Sequence, residues 1–268
     1  MINFKPKAYF LDMDGTYLDL PRKKQIMISE KNVEVAKDFN NKGIPVILST
    51  GRGNSKFVLD LTNKINAPFA VCQNGGVIVD KNNNVLKRHE INPDTLKSII
   101  EILIAQKMFF IFNSGDTIYG TKTKFRIARA WLKKLNKVTY DEIQSLPATT
   151  KILTFGKSKK GIIKLRDELL NAFHDISTHI VSKGYSIEIS DINANKGIGD
   201  RFVCDLLNID YKEAVHLGDS GNDVVTQKYL GGFVAMKNST KNIKQKADYV
   251  GYSYKKSGVA KTLQELQK

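Results

Sequence analysis

The sequence predicts an α/β fold, a doubly wound parallel sheet interrupted by an inserted α+β domain. Three observations predict it. Short apolar runs alternate with helical periodicity from Ala8 to Gly76 and again from Lys196 to Leu266, the β-α-β rhythm of right-handed crossovers. Between Glu90 and Asp191 that rhythm gives way to strands that follow one another directly, as in an antiparallel sheet carrying helices. Several of the core runs also end in acids or hydroxyls, at the edge where open α/β sheets hold their ligands.

The first run, Ala8–Leu11, reads as a buried strand that stops in Asp12-Met13-Asp14-Gly15-Thr16. Two carboxylates at the end of a core strand are costly unless a cation or a substrate uses them. The plain alternative is a strand that ends in an ordinary Asp-Gly turn. Val33, Ala36 and Phe39 mark a helix over 29–41, closed by Lys42-Gly43. A second strand, 44–48, runs into Ser49-Thr50-Gly51-Arg52 just before a helix over 54–64. Free N–H groups and the helix dipole suit an anion at Thr50, although a Thr there also caps a turn. Gly51-Arg52-Gly53 lacks the further glycine of a dinucleotide fingerprint. A third strand, Phe69–Cys72, leads to Gln73-Asn74-Gly75-Gly76, and 77–88 reads as a hairpin.

In the insert, a helix over 94–106 precedes strands at 108–112 and 117–119. A helix over 124–135 carries Phe125, Ala128, Trp131, Leu132 and Leu135 on one face and Arg126, Arg129, Lys133 and Lys134 on others. Such a basic amphipathic helix can meet a membrane or a partner, but it also describes a helix packed on its own sheet with a solvated face. Strand 152–155, helix 159–173 and strands 177–181 and 185–189 complete the insert, read as a separate lid over 85–190. The core is then 1–84 with 191–268. Lys196 opens a helix over 196–207, strand 214–217 ends in Gly218-Asp219-Ser220-Gly221-Asn222-Asp223, and strands at 233–236 and 248–250 precede a last helix. Alone, Lys196 reads as a solvated surface lysine.

Composition limits the function classes. No apolar run approaches the roughly 18 residues a membrane helix needs. No signal-like segment precedes the first strand, so the expected address is the cytoplasm. Cys72 and Cys204 read as core residues of a reducing compartment. The net charge of +15 comes mainly from Lys spread along the chain. It reads as compositional bias that also steers small phosphorylated substrates, so nucleic acid is not the expected partner.

Together, Asp12, Asp14, Thr50, Lys196, Asp219 and Asp223 belong at one rim of a parallel sheet: acids for a hard cation, a Lys and a hydroxyl for a phosphoryl group. In these four motifs the chain resembles the haloacid dehalogenase (HAD) superfamily of phosphohydrolases, with its Rossmann-like core. The tail residues Val234-Ala235-Met236-Lys237-Asn238 and Gly258-Val259-Ala260 resemble its Cof-type branch, which carries a type IIB cap. The lid's position after the third strand agrees with that branch.

The resemblance implies a Mg²⁺-dependent phosphatase for small phosphate monoesters such as sugar phosphates or phosphorylated cofactors. Asp12 is then the nucleophile, giving an aspartyl-phosphate. Asp14 is the general acid and base, expected in a less polar site than Asp12, and its carbonyl is also a metal ligand. Thr50 and Lys196 hold the phosphoryl oxygens, with Gly51, Arg52, Asn74 and Asn222 near the phosphate. Asp12, Asp14, Asp219 and Asp223 serve the metal, Asp223 directly or through water. A phosphotransferase or phosphomutase is the alternative enzyme. A non-catalytic regulatory or nucleic-acid-binding module is the alternative of another class. Tyr17, Gly221 and Thr226 depart from the family pattern without removing a catalytic group.

Overall fold

The structure, a computed structural model, describes residues 2–21, 27–130 and 132–268; Trp131 lies outside them. Two compact units divide the chain, Met1–Lys87 with Asn195–Lys268, and Arg88–Ala194.

In chain order the first unit begins with β1 (Ala8–Leu11), α1 (Glu30–Asn41), β2 (Val46–Ser49), α2 (Lys56–Lys64), β3 (Phe69–Cys72), β4 (Val77–Asp80) and β5 (Val85–Arg88). The second unit holds α3 (Pro93–Ala105), β6 (Phe109–Phe112), β7 (Thr117–Gly120), α4 (Lys122–Ile127), β8 (Asn136–Thr139), β9 (Lys151–Phe155), α5 (Lys159–Ala172), β10 (Ile176–Val181) and β11 (Ser186–Asp191). The chain then returns with α6 (Lys196–Leu206), β12 (Ala214–Gly218), α7 (Gly221–Val224), β13 (Gly232–Ala235), α8 (Lys241–Lys246), β14 (Tyr249–Val250) and α9 (Gly258–Leu266).

Among the described residues, the first unit's sheet runs β14-β13-β12-β1-β2-β3-β4-β5. Its strands are parallel from β14 through β3, and β4 returns antiparallel to β3. Strand β1 lies in the middle, and all four of its residues are buried. This explains its unbroken apolar run: helices cover both faces of a parallel sheet, so neither face can be polar. Cys72 and Cys204 are free and buried in this unit, as expected.

The second unit's sheet, β10-β11-β9-β6-β7-β8, is antiparallel except where β8 runs parallel to β7. Asn92 caps α3 by accepting from the N–H groups of Asp94 and Thr95, and Ser158 caps α5 through Gly161. The helix expected over 124–135 stops at Ile127. Asn136–Thr139 is drawn out as β8 against β7, a pairing that local periodicity does not show. Phe125, Ala128 and Leu132 still form an apolar cluster with Phe109, Ile111 and Ile118. The apolar side is thus spent on the unit's own sheet, and Arg126, Arg129, Lys133 and Lys134 are exposed. No helix among the described residues is long and apolar enough to cross a membrane.

Candidate active site

Register builds the site. Leu11 of β1 is level with Leu48 of β2 and Leu217 of β12. The residues that follow, Asp12, Ser49-Thr50 and Gly218-Asp219, therefore leave the sheet side by side at its carboxyl edge. Gly15 turns the chain at φ +88°, and a Cβ there would lie 2.5 Å from Asp219 Oδ2, so only glycine lets the β1 loop pass that carboxylate. Asn238, which the sequence marks only as part of the tail stretch and not as a site residue, donates from Nδ2 to the Gly15 carbonyl at 2.9 Å and braces the turn.

Lys196 reaches the same edge from α6. Asn195 caps the helix by accepting from the Ile198 N–H at 3.0 Å. Gly75, at φ +92°, sits so close beneath that a Cβ would fall 2.2 Å from the Asn195 carbonyl oxygen. Gly75→Ala is therefore expected to cost about 1–3 kcal/mol in backbone strain and to push the start of α6 outward. A lower urea midpoint together with lower activity checks this; an unchanged midpoint would remove the close approach as a constraint.

The solvated-lysine alternative fails. Lys196 is fully buried, and its Nζ donates to Asp12 Oδ1 and to Asp223 Oδ1, each at 2.6 Å. Burial alone would lower the pKa of this ammonium, but the charges of Asp12 and Asp223 outweigh it and hold it well above the usual lysine range. Asp223 shows the converse. Burial raises it, yet Lys196 and His216 together hold it below the usual carboxylate range. Its Oδ2 accepts from the N–H groups of Asp219 at 3.0 Å and Ser220 at 2.9 Å.

Carboxylate oxygens of Asp12, Asp219 and Asp223 all lie within 4.8 Å of one another. That crowding has an electrostatic signature. Burial, then the charges of Asp12 and Asp223, push Asp219 up to about 7. Burial likewise raises Asp12 against the pull of Lys196.

Asp14 differs from its expected setting. Its side chain is 42% exposed, whereas that of Asp12 is 8% exposed, because Asp14 lies within the turn rather than at the strand end. Arg52 forks it, Nε to Oδ2 and Nη2 to Oδ1, both at 2.7 Å. Thr50 is buried, and its Oγ1 accepts from the Arg52 N–H at 3.1 Å. The Asn74 N–H donates to the Thr50 carbonyl at 2.9 Å, while Asn222 Nδ2 donates to Asn74 Oδ1 at 2.9 Å. Gly51 lies against Asn74, whose Oδ1 is 3.1 Å from where a Cβ would be. Asp12, Asp14, Thr50, Gly51, Arg52, Asn74, Lys196, Asp219, Asn222 and Asp223 therefore all belong to this one unit and to this edge.

His216 and Asp200 did not stand out in the sequence. His216 Nδ1 lies 2.7 Å from Asp200 Oδ2 and Nε2 lies 3.0 Å from Asp223 Oδ1. Burial would lower the imidazolium, but Asp200 and Asp223 outweigh it and push His216 up to about 9. The available signals were a His inside the apolar run Ala214-Val215-His216-Leu217 and an acid four residues after Lys196 on the same helix face.

Comparison with known proteins decides the family. The family model of haloacid dehalogenase-like hydrolases matches residues 9–263. The chain belongs to that family. The HAD assignment spans the core motifs and the inserted unit alike. Among curated relatives, the chain is 26% identical over 260 residues to a 5-amino-6-(5-phospho-D-ribitylamino)uracil phosphatase of Bacillus subtilis, covering 96% of this chain and 94% of that one. It is also 26% identical over 268 residues to a phosphoglycolate phosphatase of Archaeoglobus fulgidus, covering 98% of both chains. In fold, this HAD hydrolase is similar to a subclass IIB sugar phosphatase of the superfamily, with a TM-score of 0.76 at 18% identity over 97% of this chain and 98% of that one.

Proposed function

We propose that this HAD hydrolase is a Mg²⁺-dependent phosphatase of small phosphate monoesters, such as sugar phosphates or phosphorylated cofactors, with Asp12 as nucleophile. The observation that carries the reading is the buried Asp12 carboxylate, 2.6 Å from the Lys196 ammonium and grouped with Asp219 and Asp223. The relatives named as phosphatases of phosphorylated small molecules support the substrate class.

The donor set fits a hard dication. Its atoms are clustered carboxylate oxygens crowded against their own repulsion, and the His216 nitrogens face Asp200 and Asp223 instead. Asp12, Asp219 and the Asp14 carbonyl are the groups that would hold Mg²⁺, with Asp223 engaged directly or through water. When bound, the ion neutralises charge and templates the groups around the phosphoryl.

In the first half-reaction an Asp12 oxygen attacks phosphorus, the bond to the ester oxygen breaks, and Asp14 gives that oxygen a proton. In the second, Asp14 takes a proton from water, which attacks the aspartyl-phosphate and frees both inorganic phosphate and Asp12. Lys196 and the Thr50 hydroxyl hold the phosphoryl oxygens as charge shifts. Arg52 must loosen its fork for Asp14 to move protons, and a substrate phosphate is a natural competitor for that guanidinium.

The test is a panel of phosphate monoesters with and without Mg²⁺. Phosphate release that needs the metal supports the reading. No release from any member, or transfer to a sugar acceptor in place of water, would overturn hydrolysis.

A pH dependence follows from Asp219. A carboxylate in an unfolded chain titrates near ~4, whereas Asp219 is pushed up to about 7. Between those values the folded chain binds the extra proton more tightly, so in metal-free buffer this group's contribution to stability falls as pH rises. Mg²⁺ must displace that proton. The rise in melting temperature on adding Mg²⁺ is therefore expected to be small near about pH 5.5 and to grow toward about pH 8. A Mg²⁺ response that is flat across that range would contradict it.

A further inference from the structure

Asp200 and His216 are both fully buried, and neither is needed for the chemistry assigned to Asp12 and Asp14. The ring joins two carboxylates, with Nδ1 2.7 Å from Asp200 Oδ2 and Nε2 3.0 Å from Asp223 Oδ1. Asp200 Oδ1 is buried with no hydrogen-bond partner among the described residues. An interior tolerates such a group only at a cost, and a volume-matched apolar pair would serve stability as well or better. Stability therefore does not account for the pair.

Geometry offers another role. Asp223 Oδ2 is anchored by the N–H groups of Asp219 and Ser220, and by the Ser220 hydroxyl at 3.2 Å. Its Oδ1 is the shared acceptor of Lys196 and His216. An ammonium has three donors. Two of Lys196's point to Asp12 and Asp223, so those two carboxylates set where the third points. Without the ring, Oδ1 is held by Lys196 alone, and the carboxylate can pivot about its Oδ2 anchor and carry one side of the lysine's cradle with it.

We propose that Asp200 and His216 are positioning residues: Asp200 orients the His216 ring, and the ring fixes Asp223 Oδ1 so that Lys196 stays suspended between Asp223 and Asp12. Only the kinetic part of the test rests on the phosphatase reading.

The test is the double variant Asp200→Leu/His216→Ala, which nearly conserves volume and leaves no buried polar group unpaired. Its melting temperature is expected within about 4 °C of wild type. With p-nitrophenyl phosphate and Mg²⁺, kcat is expected to fall about 10–100-fold, the scale seen when groups that orient ligating residues are removed. KM is expected to stay within about twofold. A crystal structure of the variant is expected to show the Asp223 carboxylate turned about its Oδ2 anchor and Lys196 Nζ displaced with it, still hydrogen-bonded to Oδ1. Wild-type kcat with Lys196 unmoved would overturn the proposal. If the wild-type chain itself leaves p-nitrophenyl phosphate intact, the phosphatase reading fails, and the variant's crystal structure still decides the positioning. Where the double variant does not fold, Asp200→Leu and Asp200→Asn decide: Leu frees the ring, and Asn restores an acceptor for it. Loss of kcat in Leu with recovery in Asn supports the proposal, and equal kcat in the two overturns it.

Discussion

Asp12→Asn is expected to lower kcat by about four orders of magnitude or more, because an amide oxygen cannot form the acyl-phosphate bond. The fold should survive the change. The amide keeps the shape of the carboxylate, and its oxygen can still accept from Lys196. Burial raises Asp12 above the usual carboxylate value even against the pull of Lys196. In the unfolded chain the group ionises near ~4 and in the folded chain at higher pH, so at neutral pH its ionised form subtracts stability. The variant is thus expected to melt at or above the wild-type temperature in metal-free buffer. Phosphate release and thermal melts on the same preparation check both halves. Turnover close to wild type would take the nucleophile away from Asp12, and a much lower melting temperature would assign lost activity to unfolding instead.

The second large effect is expected from Lys196→Met, and it joins stability to activity. The ammonium is fully buried and is shared by Asp12 and Asp223, which are themselves buried. Removing it strands two carboxylates, a change that typically costs about 3–5 kcal/mol. It also removes the donor proposed to meet developing phosphoryl charge, a loss worth about 10²–10³-fold in kcat. Urea unfolding should show the first loss and steady-state kinetics the second. Added Mg²⁺ should recover part of the stability but little of the rate, since a cation compensates the carboxylates without restoring the lysine's directed N–H. Lys196→Arg is not expected to rescue, because a planar fork cannot replace a compact ammonium in a fully buried cradle. Wild-type stability in Lys196→Met would mean that the pairs at 2.6 Å contribute nothing net.

Much of the architecture is legible before folding. Ala8–Leu11 reads as a core strand because both its faces are apolar, and it is the middle strand of the parallel sheet. The motif acids are legible because carboxylates at the end of such a strand are expensive unless used. Other features are not. Residues 128–135 continue a helical pattern, yet the chain leaves the helix at Ile127 so that Asn136–Thr139 can pair with β7. Pairing energy between strands is non-local and leaves no trace in periodicity. Asp14 reads as an acid awaiting an apolar site, but the Arg52 side chain folds back onto it, a contact across 38 residues that neither motif announces. His216 looks like an irregularity in a strand until Asp200 and Asp223 are seen on either side of it.

Primary structure alone carries the inventory: a carboxylate at the end of a core strand, acids suited to a hard cation, a lysine, a hydroxyl, and the alternation of strand and helix that brings them to one edge. These are local properties, encoded in stretches a few residues long. Distance is not local. Lys196 and Asp12 are 184 positions apart and 2.6 Å apart in space. Strand order, the register of Leu11 against Leu48 and Leu217, and the close approach of Gly75 to Asn195 decide that separation. So does the partnership of each buried charge, because in an interior a charge is settled by whichever neighbours folding delivers to it.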